Sequence, residues 1–342
     1  MSKIKEFGFS SKSRETGREI KKLGKLADDL GYGTYWVSED PFYRGPFTSM
    51  ATIAAHTKNI RVGTNVINPV IRHPVSIAME MAALDDVSEG RAVLGLAAGG
   101  KSWLQDKLNL STQKPLTTLK ETIDIFQPLI RGETVSYEGD RFNIADVKLI
   151  IPPYRPKLPL YLGARSPKSL QLCGEKCDGL VIGRGAMLTP EYLSYMIENL
   201  KIGAEKSGRD ISDLDITLMM TLSLSDNDRE ARDRVKREIL KSQLQILEFG
   251  AVKFTGVLPD AFYEKLKASV DGVGNPLDLI TDDIIDSYAI AGDPERCKES
   301  IAKSVEAGIN SFILVDPWNY GVPVDIESLM RTFQEKVMSE FL

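Results

Sequence analysis

The chain has 342 residues, enough for two average domains or for one large α/β barrel. Its 43 Lys and Arg stand against 48 Asp and Glu, a formal net charge of −5, so no global basic field exists to condense on nucleic acid or an anionic membrane. Three cysteines are too few for a disulfide scaffold, no apolar run reaches the roughly 18–20 residues of a membrane helix, and Met1-Ser2-Lys3-Ile4-Lys5 lacks the apolar core of a secretion signal, so a soluble cytoplasmic protein is expected.

Short β-rich runs alternate with amphipathic stretches. Phe7-Gly8-Phe9-Ser10 reads as a strand, and the stretch behind it places Ile20, Leu23, Leu26, Ala27 and Leu30 on one helical face before Gly31 stops it. Further strands are expected at 34–37, 60–64, 92–96, 160–162, 180–182, 216–222 and 312–315, which makes eight in all. Helices are expected between them at about 48–56, 76–87, 117–131, 167–176, 190–206, 228–249 and 294–307, with a last one at 326–340. Strand followed by helix, repeated, calls for a parallel sheet covered on both faces. Eight such units suit a (β/α)8 TIM barrel, with its active site at the C-terminal ends of the strands. A doubly wound open sheet is the competing architecture. Two stretches break the alternation, at about 132–159, where Tyr137 to Phe142 has the look of a hairpin, and at about 250–290. Neither has the composition of a linker, so residues 1–342 are expected to form a single domain with two insertions.

The sharpest formal motif is Gly95-Leu96-Ala97-Ala98-Gly99-Gly100-Lys101-Ser102, which satisfies G-x-x-x-x-G-K-[ST] behind an apolar strand. It raises a nucleotide triphosphatase, with backbone N–H groups and Lys101 on the phosphates, Ser102 on magnesium and Asp316 as a metal-holding carboxylate. Gly95, however, is expected inside the strand rather than at a loop start, so a Gly-rich barrel loop is the better reading. A metal centre is not expected: the histidines are His56 and His73 alone, and Cys173 and Cys177 have no second pair to close a tetrahedral site. Buried thiols on a helix face suit them, and Cys297, better. No G-x-S-x-G elbow marks a serine hydrolase.

The strand ends carry more. The second ends in Ser38-Glu39-Asp40, the third in Asn65-Val66-Ile67-Asn68-Pro69, the fourth in Ala97-Ala98-Gly99-Gly100, the fifth in Gly163-Ala164-Arg165-Ser166-Pro167 and the sixth in Gly183-Arg184-Gly185. In a barrel these segments converge on one mouth. Ser166-Pro167 opens a helix, so its N–H groups and dipole, with Arg165, suit a phosphate; an ordinary N-cap is the plainer role of Ser166 and is compatible with it. Small residues at the fourth end let a flat ring approach backbone, and Glu39 or Asp40 is a candidate general base. A flat cofactor with a phosphate on a flexible arm is the ligand this set suits.

The segments Ile60 to Pro74 and Leu84 to Gly99, then Pro159 to Ala164 with Cys177-Asp178-Gly179-Leu180, and Ala291-Gly292-Asp293-Pro294 through Ala307-Gly308-Ile309, together resemble the bacterial luciferase-like oxidoreductases, in particular the branch using the deazaflavin coenzyme F420. The resemblance covers most of the chain in order. It implies a luciferase-like TIM barrel, commonly a homodimer, acting on a small-molecule substrate without nucleic acid or membrane partners. It implies F420, or FMN as the alternative, with its ring over a bulge carrying a non-proline cis peptide at Asn65–Val66. It implies backbone approach at Ala98, Gly99 and Gly100, phosphate near Gly163, Ala164, Arg165 and Ser166, and lining by Ser38, Thr64, Asn68, Gly183 and Arg184. Hydride transfer between deazaflavin and an organic substrate follows, with a methylenetetrahydromethanopterin reductase-like reaction as the specific form and an FMN-dependent monooxygenase as the alternative. A binding protein without catalysis is the reading from another class.

The sequence departs from that branch where Glu39-Asp40 replaces a common Asp-His. A carboxylate has a far lower reference pKa than imidazole. The departure argues against an alcohol or sugar-phosphate dehydrogenase and for a substrate that needs less of a base. Glu39 and Asp40 remain the catalytic candidates.

Overall fold

The computed structural model describes residues 4–342 apart from 12, 41, 100–103, 184–188, 250–257 and 318–323. Its strands are β1 (Glu6–Ser11), β2 (Thr34–Val37), β3 (Arg61–Thr64), β4 (Ala92–Leu96), β5 (Val135–Glu138), β6 (Asn143–Val147), β7 (Leu160–Gly163), β8 (Gly179–Ile182), β9 (Asp215–Leu224), β10 (Ala289–Gly292) and β11 (Ser311–Val315). Eight of them close a parallel barrel in the order β1, β2, β3, β4, β7, β8, β9, β11, and these are the eight strands expected from the sequence. β2, β4, β8 and β11 are buried along their whole length, as parallel strands covered on both faces must be.

Several helices start earlier than the apolar periodicity suggested. The helices expected at 48, 76 and 117 begin at Pro46, Pro74 and Pro115, each with proline in the first turn. Proline has no N–H to lose there and its φ is already helical, so it extends a helix forward of its first periodic residue. The last helix, Ile326–Lys336, is shorter than the expected 326–340, and Met338–Glu340 is a separate 3-10 turn.

The first interruption contains the expected hairpin, β5 paired antiparallel with β6. Its tip is held by Glu121, whose carboxylate accepts the N–H groups of Asp140, Arg141 and Phe142 at 2.8, 3.0 and 3.0 Å. The second interruption corrects the expectation. β10 closes it as a strand that the sequence did not signal, lying along Thr221–Leu224 of β9, beyond the stretch 217–221 that pairs with β11. Ala-Ile-Ala-Gly is too short and too poor in β-branched residues to announce itself. The helices Asp260–Val270 and Asp282–Tyr288 lie ahead of it, and Leu258, Ile280, Ile284, Ile285 and Tyr288 pack on Val235 and Ile239 as a satellite core.

The chain divides into two compact units, Gly8–Val181 with Asn199–Asp215, and Met1–Phe7 with Ile182–Glu198 and Ile216–Leu342. In the first, the Trp36 indole fills space left by two glycines: a Cβ on Gly63 or Gly8 would come within 2.6 or 2.7 Å of it. Tyr161 meets the same ring edge-on at 5.4 Å. Ser88-Glu89-Gly90-Arg91 is a staple in this unit. Glu89 and Gly90 turn the chain in the left-handed region, at φ 54° and 83°. That turn aims the Arg91 guanidinium at the carbonyls of Ala54, Thr57 and Ile60. In the second unit Phe7 stacks on Phe312 at 5.3 Å and meets Phe333 edge-on at 5.4 Å. Cys173, Cys177 and Cys297 are buried free thiols, as their helix spacing suggested. Among the described residues no helix is long and apolar enough to cross a membrane.

Candidate functional site

The first unit brings several strand ends together, starting at the end of β3. The Thr64 hydroxyl accepts the Gly95 N–H at 2.7 Å and donates to the Gly95 carbonyl at 2.8 Å, so it is consumed in holding β3 to β4. The Asn65 N–H bonds the Val37 carbonyl at 2.9 Å, and its side-chain amide donates to Ser10 Oγ at 3.4 Å. The Asn65–Val66 peptide bond is cis, as the resemblance implied. Ile67 then rejoins β4, its N–H on the Gly95 carbonyl at 2.9 Å and its carbonyl accepting the Ala97 N–H at 3.1 Å. After the Asn65 N–H the chain leaves the ladder, and it returns at Ile67, the geometry of a bulge that re-aims a side chain. That side chain is Val66, partly exposed while 62–65 and 67–69 are buried.

Val66 meets the ends of two more strands. A Cβ on Gly163 would stand 3.2 Å from the Ala97 Cβ and 3.7 Å from Val66 Cγ1. The third, fourth and fifth barrel strands therefore end around small, partly exposed residues, Val66, Ala97, Ala98 and Gly163, with the exposed Gly99 next in the chain.

The end of β2 is tied to the same place. Glu39 Oε2 accepts the Asn68 N–H at 3.0 Å and Oε1 accepts Arg72 Nε at 2.6 Å, so both carboxylate oxygens are engaged. The Arg72 guanidinium lies over the Phe47 ring, 5.1 Å from its centroid. Arg72 was not singled out from the sequence. No signal along the chain marked it: Arg44 stands much nearer to Glu39 in sequence, and barrel closure alone brings Arg72 to it across 33 residues. The Ser38 carbonyl accepts the Ser13 hydroxyl at 2.6 Å, and the Asp40 carbonyl accepts the Tyr43 N–H at 3.3 Å.

Asn68 completes the bulge. Its Oδ1 accepts the Val70 N–H at 2.7 Å, whereas its buried Nδ2 has no hydrogen-bond partner among the described residues. Gly99, at φ 76°, lies against that nitrogen, because a Cβ built there would come within 1.7 Å of it. Only glycine fits, both for the left-handed backbone and for the contact.

At the fifth strand end Ser166 is the N-cap of the helix Pro167–Lys176, in a capping box with Ser169. Ser166 Oγ accepts the Ser169 N–H at 3.4 Å, and Pro167 has none to offer. Ala164 is buried; Arg165 and Ser166 are partly exposed. Gly183 follows β8 and belongs to the second unit, while Gly100, Lys101, Ser102 and Arg184 lie outside the described residues.

Two alternatives weighed from the sequence change here. Gly95 lies inside β4 with its N–H on the Thr64 hydroxyl, so it does not open a phosphate loop. Asp316 is fully buried directly after β11, and among the described residues no group of three or more His, Cys, Asp or Glu side chains is arranged to hold a metal ion.

The comparisons with known proteins agree with this architecture. A family model described as luciferase-like monooxygenase matches residues 2–311. A 5,10-methylenetetrahydromethanopterin reductase of Methanolobus tindarius is 28% identical over 91% of this chain and 94% of its own length. An F420-dependent glucose-6-phosphate dehydrogenase of Amycolatopsis mediterranei is 24% identical over 97% of each chain. The solved structure of the coenzyme F420-dependent tetrahydromethanopterin reductase of Methanopyrus kandleri superposes with a TM-score of 0.85 at 21% identity, over 99% of this chain and all of that one. The match extends from before β1 into β11 and so takes in every strand end described above: the chain belongs to the luciferase-like monooxygenase family.

Proposed function

We propose that the protein is a coenzyme F420-dependent oxidoreductase that moves a hydride between the deazaflavin and a small organic substrate, with a methylenetetrahydromethanopterin reductase-like reaction as its specific form. One observation carries this reading: the β3 bulge, the small residues after β4 and Gly163 meet at the C-terminal strand ends, where a barrel holds its ligands. The residues fit a flat ring. No side chain larger than valine stands at Val66, Ala97, Ala98, Gly99 or Gly163, and the bulge adds a buried donor, Asn68 Nδ2, without a hydrogen-bond partner among the described residues. The F420-dependent relatives support the choice of coenzyme.

When bound, the deazaflavin supplies the carbon that gives or takes the hydride. The chain supplies position and polarity. We assign ring support to Asn65 and Val66 and close approach to Ala98, Gly99 and Gly100. We assign phosphate contact to Gly163, Ala164, Arg165 and Ser166, and lining to Ser38 and Asn68. Thr64 acts through Gly95, holding the two strand ends in register. Asp40 is the substrate-side carboxylate; Glu39, with both oxygens engaged, braces the bulge. With no imidazole at position 40, a substrate whose hydride transfer is not coupled to an O–H proton transfer suits the site better than an alcohol, which must give up its O–H proton as its carbon gives up hydride. The 342 residues act as one barrel domain, and the active form is a homodimer.

The test is a titration of purified protein with F420, FMN and ATP–magnesium separately, read by fluorescence and heat. Saturable F420 binding is expected. FMN binding alone would select the monooxygenase, and ATP binding without either would end the reading.

A further inference from the structure

We propose a second, non-catalytic binding site in the cavity between the helices Pro190–Lys206 and Pro294–Glu306, for a small zwitterion with an apolar body, the chemistry shared by a free apolar amino acid and a short apolar peptide.

The cavity has a volume of about 610 Å³ and is lined entirely by residues of the second unit. Just past the end of the second helix the two elements pack tightly, because a Cβ on Gly308 would come within 2.8 Å of Ile197 Cδ1. Toward the first turns of Pro190–Lys206 they leave a gap, with Met220 of β9 and Leu193 as its buried apolar floor. A space of this size is in the range that holds a small molecule, about 300–1,000 Å³. The flank of a barrel helix that faces its neighbour and the sheet ordinarily carries apolar side chains that close such a gap. Here that flank carries Ser300, Lys303 and Ser304, whereas Cys297 and Ile301 on the adjoining flank are buried. The lining shares no residue with the strand ends assigned to the coenzyme, so binding here does not require it.

The charges along the cavity are of both signs and only partly matched. Arg296 is engaged by Asp286 at 3.3 Å and by Asp228 at 3.7 Å. Lys303 stands four residues after Glu299 and three before Glu306, on one helical stripe at the cavity. Among the described residues, none of these three side chains makes an ion pair. The Ser304 hydroxyl is spent on the Ser300 carbonyl at 2.9 Å, and the Ser300 hydroxyl has no partner among the described residues. A plain anion would gain Lys303 but be repelled by two carboxylates, and a plain cation would gain the carboxylates but be set against Lys303. A zwitterion meets both demands, its carboxylate on Lys303 and Ser300, its ammonium on Glu299 or Glu306 and its apolar part over Met220 and Leu193.

Full-length protein is titrated by calorimetry with leucine, leucyl-leucine, isocaproate, which is leucine without its amine, and isoamylamine, which is leucine without its carboxylate. The same titrations are followed by NMR of methyl-labelled methionine, with the Met220 signal identified by Met220→Leu. Saturable binding of leucine or leucyl-leucine is expected, the tighter of the two naming the source, with both singly charged analogues weaker by about tenfold or more, the scale of one charge-assisted hydrogen bond. Lys303→Gln is expected to weaken the zwitterion about tenfold without weakening isoamylamine, and the double variant Glu299→Gln with Glu306→Gln to weaken it without weakening isocaproate. Circular dichroism checks the fold of each variant, and the Met220 methyl signal is expected to move on binding. No saturable binding of either zwitterion would overturn the inference. So would singly charged analogues that bind as tightly as the zwitterion, or binding that leaves the Met220 signal in place.

Discussion

Asp28 shows what a single carboxylate does in this fold. It accepts the N–H groups of Lys58, Asn59 and Ile60 at 2.8, 3.0 and 2.7 Å, closing the turn that leads into β3. Burial alone would raise its pKa, but those three N–H groups, with Arg91 nearby, outweigh burial and hold the carboxyl below its usual range. Because an unfolded aspartate titrates near about 3.9, this contribution is complete above that pH and is lost as the pH falls through the lower folded value. Asp28→Asn is therefore expected to cost about 1–3 kcal/mol in urea unfolding at pH 7 and progressively less as the pH falls below the unfolded value. An equal loss at every pH would show that charge is not involved. The thiols make a second residue-scale case. Burial pushes Cys297 up to about 12, and the hydrogen bond that the Cys177 thiol donates to Cys173, followed by burial, raises Cys177. Since the thiolate is the reacting form, no cysteine is expected to react with an aromatic disulfide reagent at pH 8 until the chain unfolds; a fast native phase would contradict this. At the ligand end, Arg165→Ala is expected to weaken F420 binding with unchanged unfolding, and equal affinity would place the phosphate elsewhere.

Among the elements, the helices Pro167–Lys176 and Pro190–Lys206 meet backbone to backbone. A Cβ on Gly174 would stand 2.1 Å from the Leu200 carbonyl oxygen, and one on Gly203 would stand 2.0 Å from that of Gln171. Two opposed effects act on Gly203→Ala. Helix propensity favours alanine by about 0.5–1 kcal/mol, while overpacking against rigid backbone costs about 1–3 kcal/mol. The second is larger, so a lower thermal midpoint is expected, and a rise would mean that the helices separate freely. Both helices were legible in the sequence to the residue, from proline at the start and apolar spacing. Their contact was not, since a glycine inside a helix gives no local sign of what faces it. β10 was missed for a related reason: its strand character comes from the edge of β9 rather than from its own residues.

For the whole molecule, the helix Pro74–Val87 raises the question of assembly. It is apolar on more than its buried side: Met79, Ala83 and Val87 are exposed and Val75 partly so, at i, i+4 spacing along one stripe. A helix apolar all round is normally covered on both sides. The homodimer proposed above gives that stripe a partner, and Met79→Asp is expected to shift sedimentation from dimer to monomer. A wild-type monomer at micromolar concentration would refute it.

The sequence by itself determined the alternation of eight strands with helices, the segments that end those strands and the class of ligand they suit, because periodicity, proline starts and glycine stops are local properties of a chain. The tertiary structure alone decided how those ends are used. Thr64 became a strand clasp, and Glu39 became a brace because closure brings it to Asn68 and Arg72, 29 and 33 residues away. Asn68 kept one amide nitrogen without a partner among the described residues for the same reason. Which side chains pair at a strand end depends on the register of neighbouring strands, and no window along one strand contains that register.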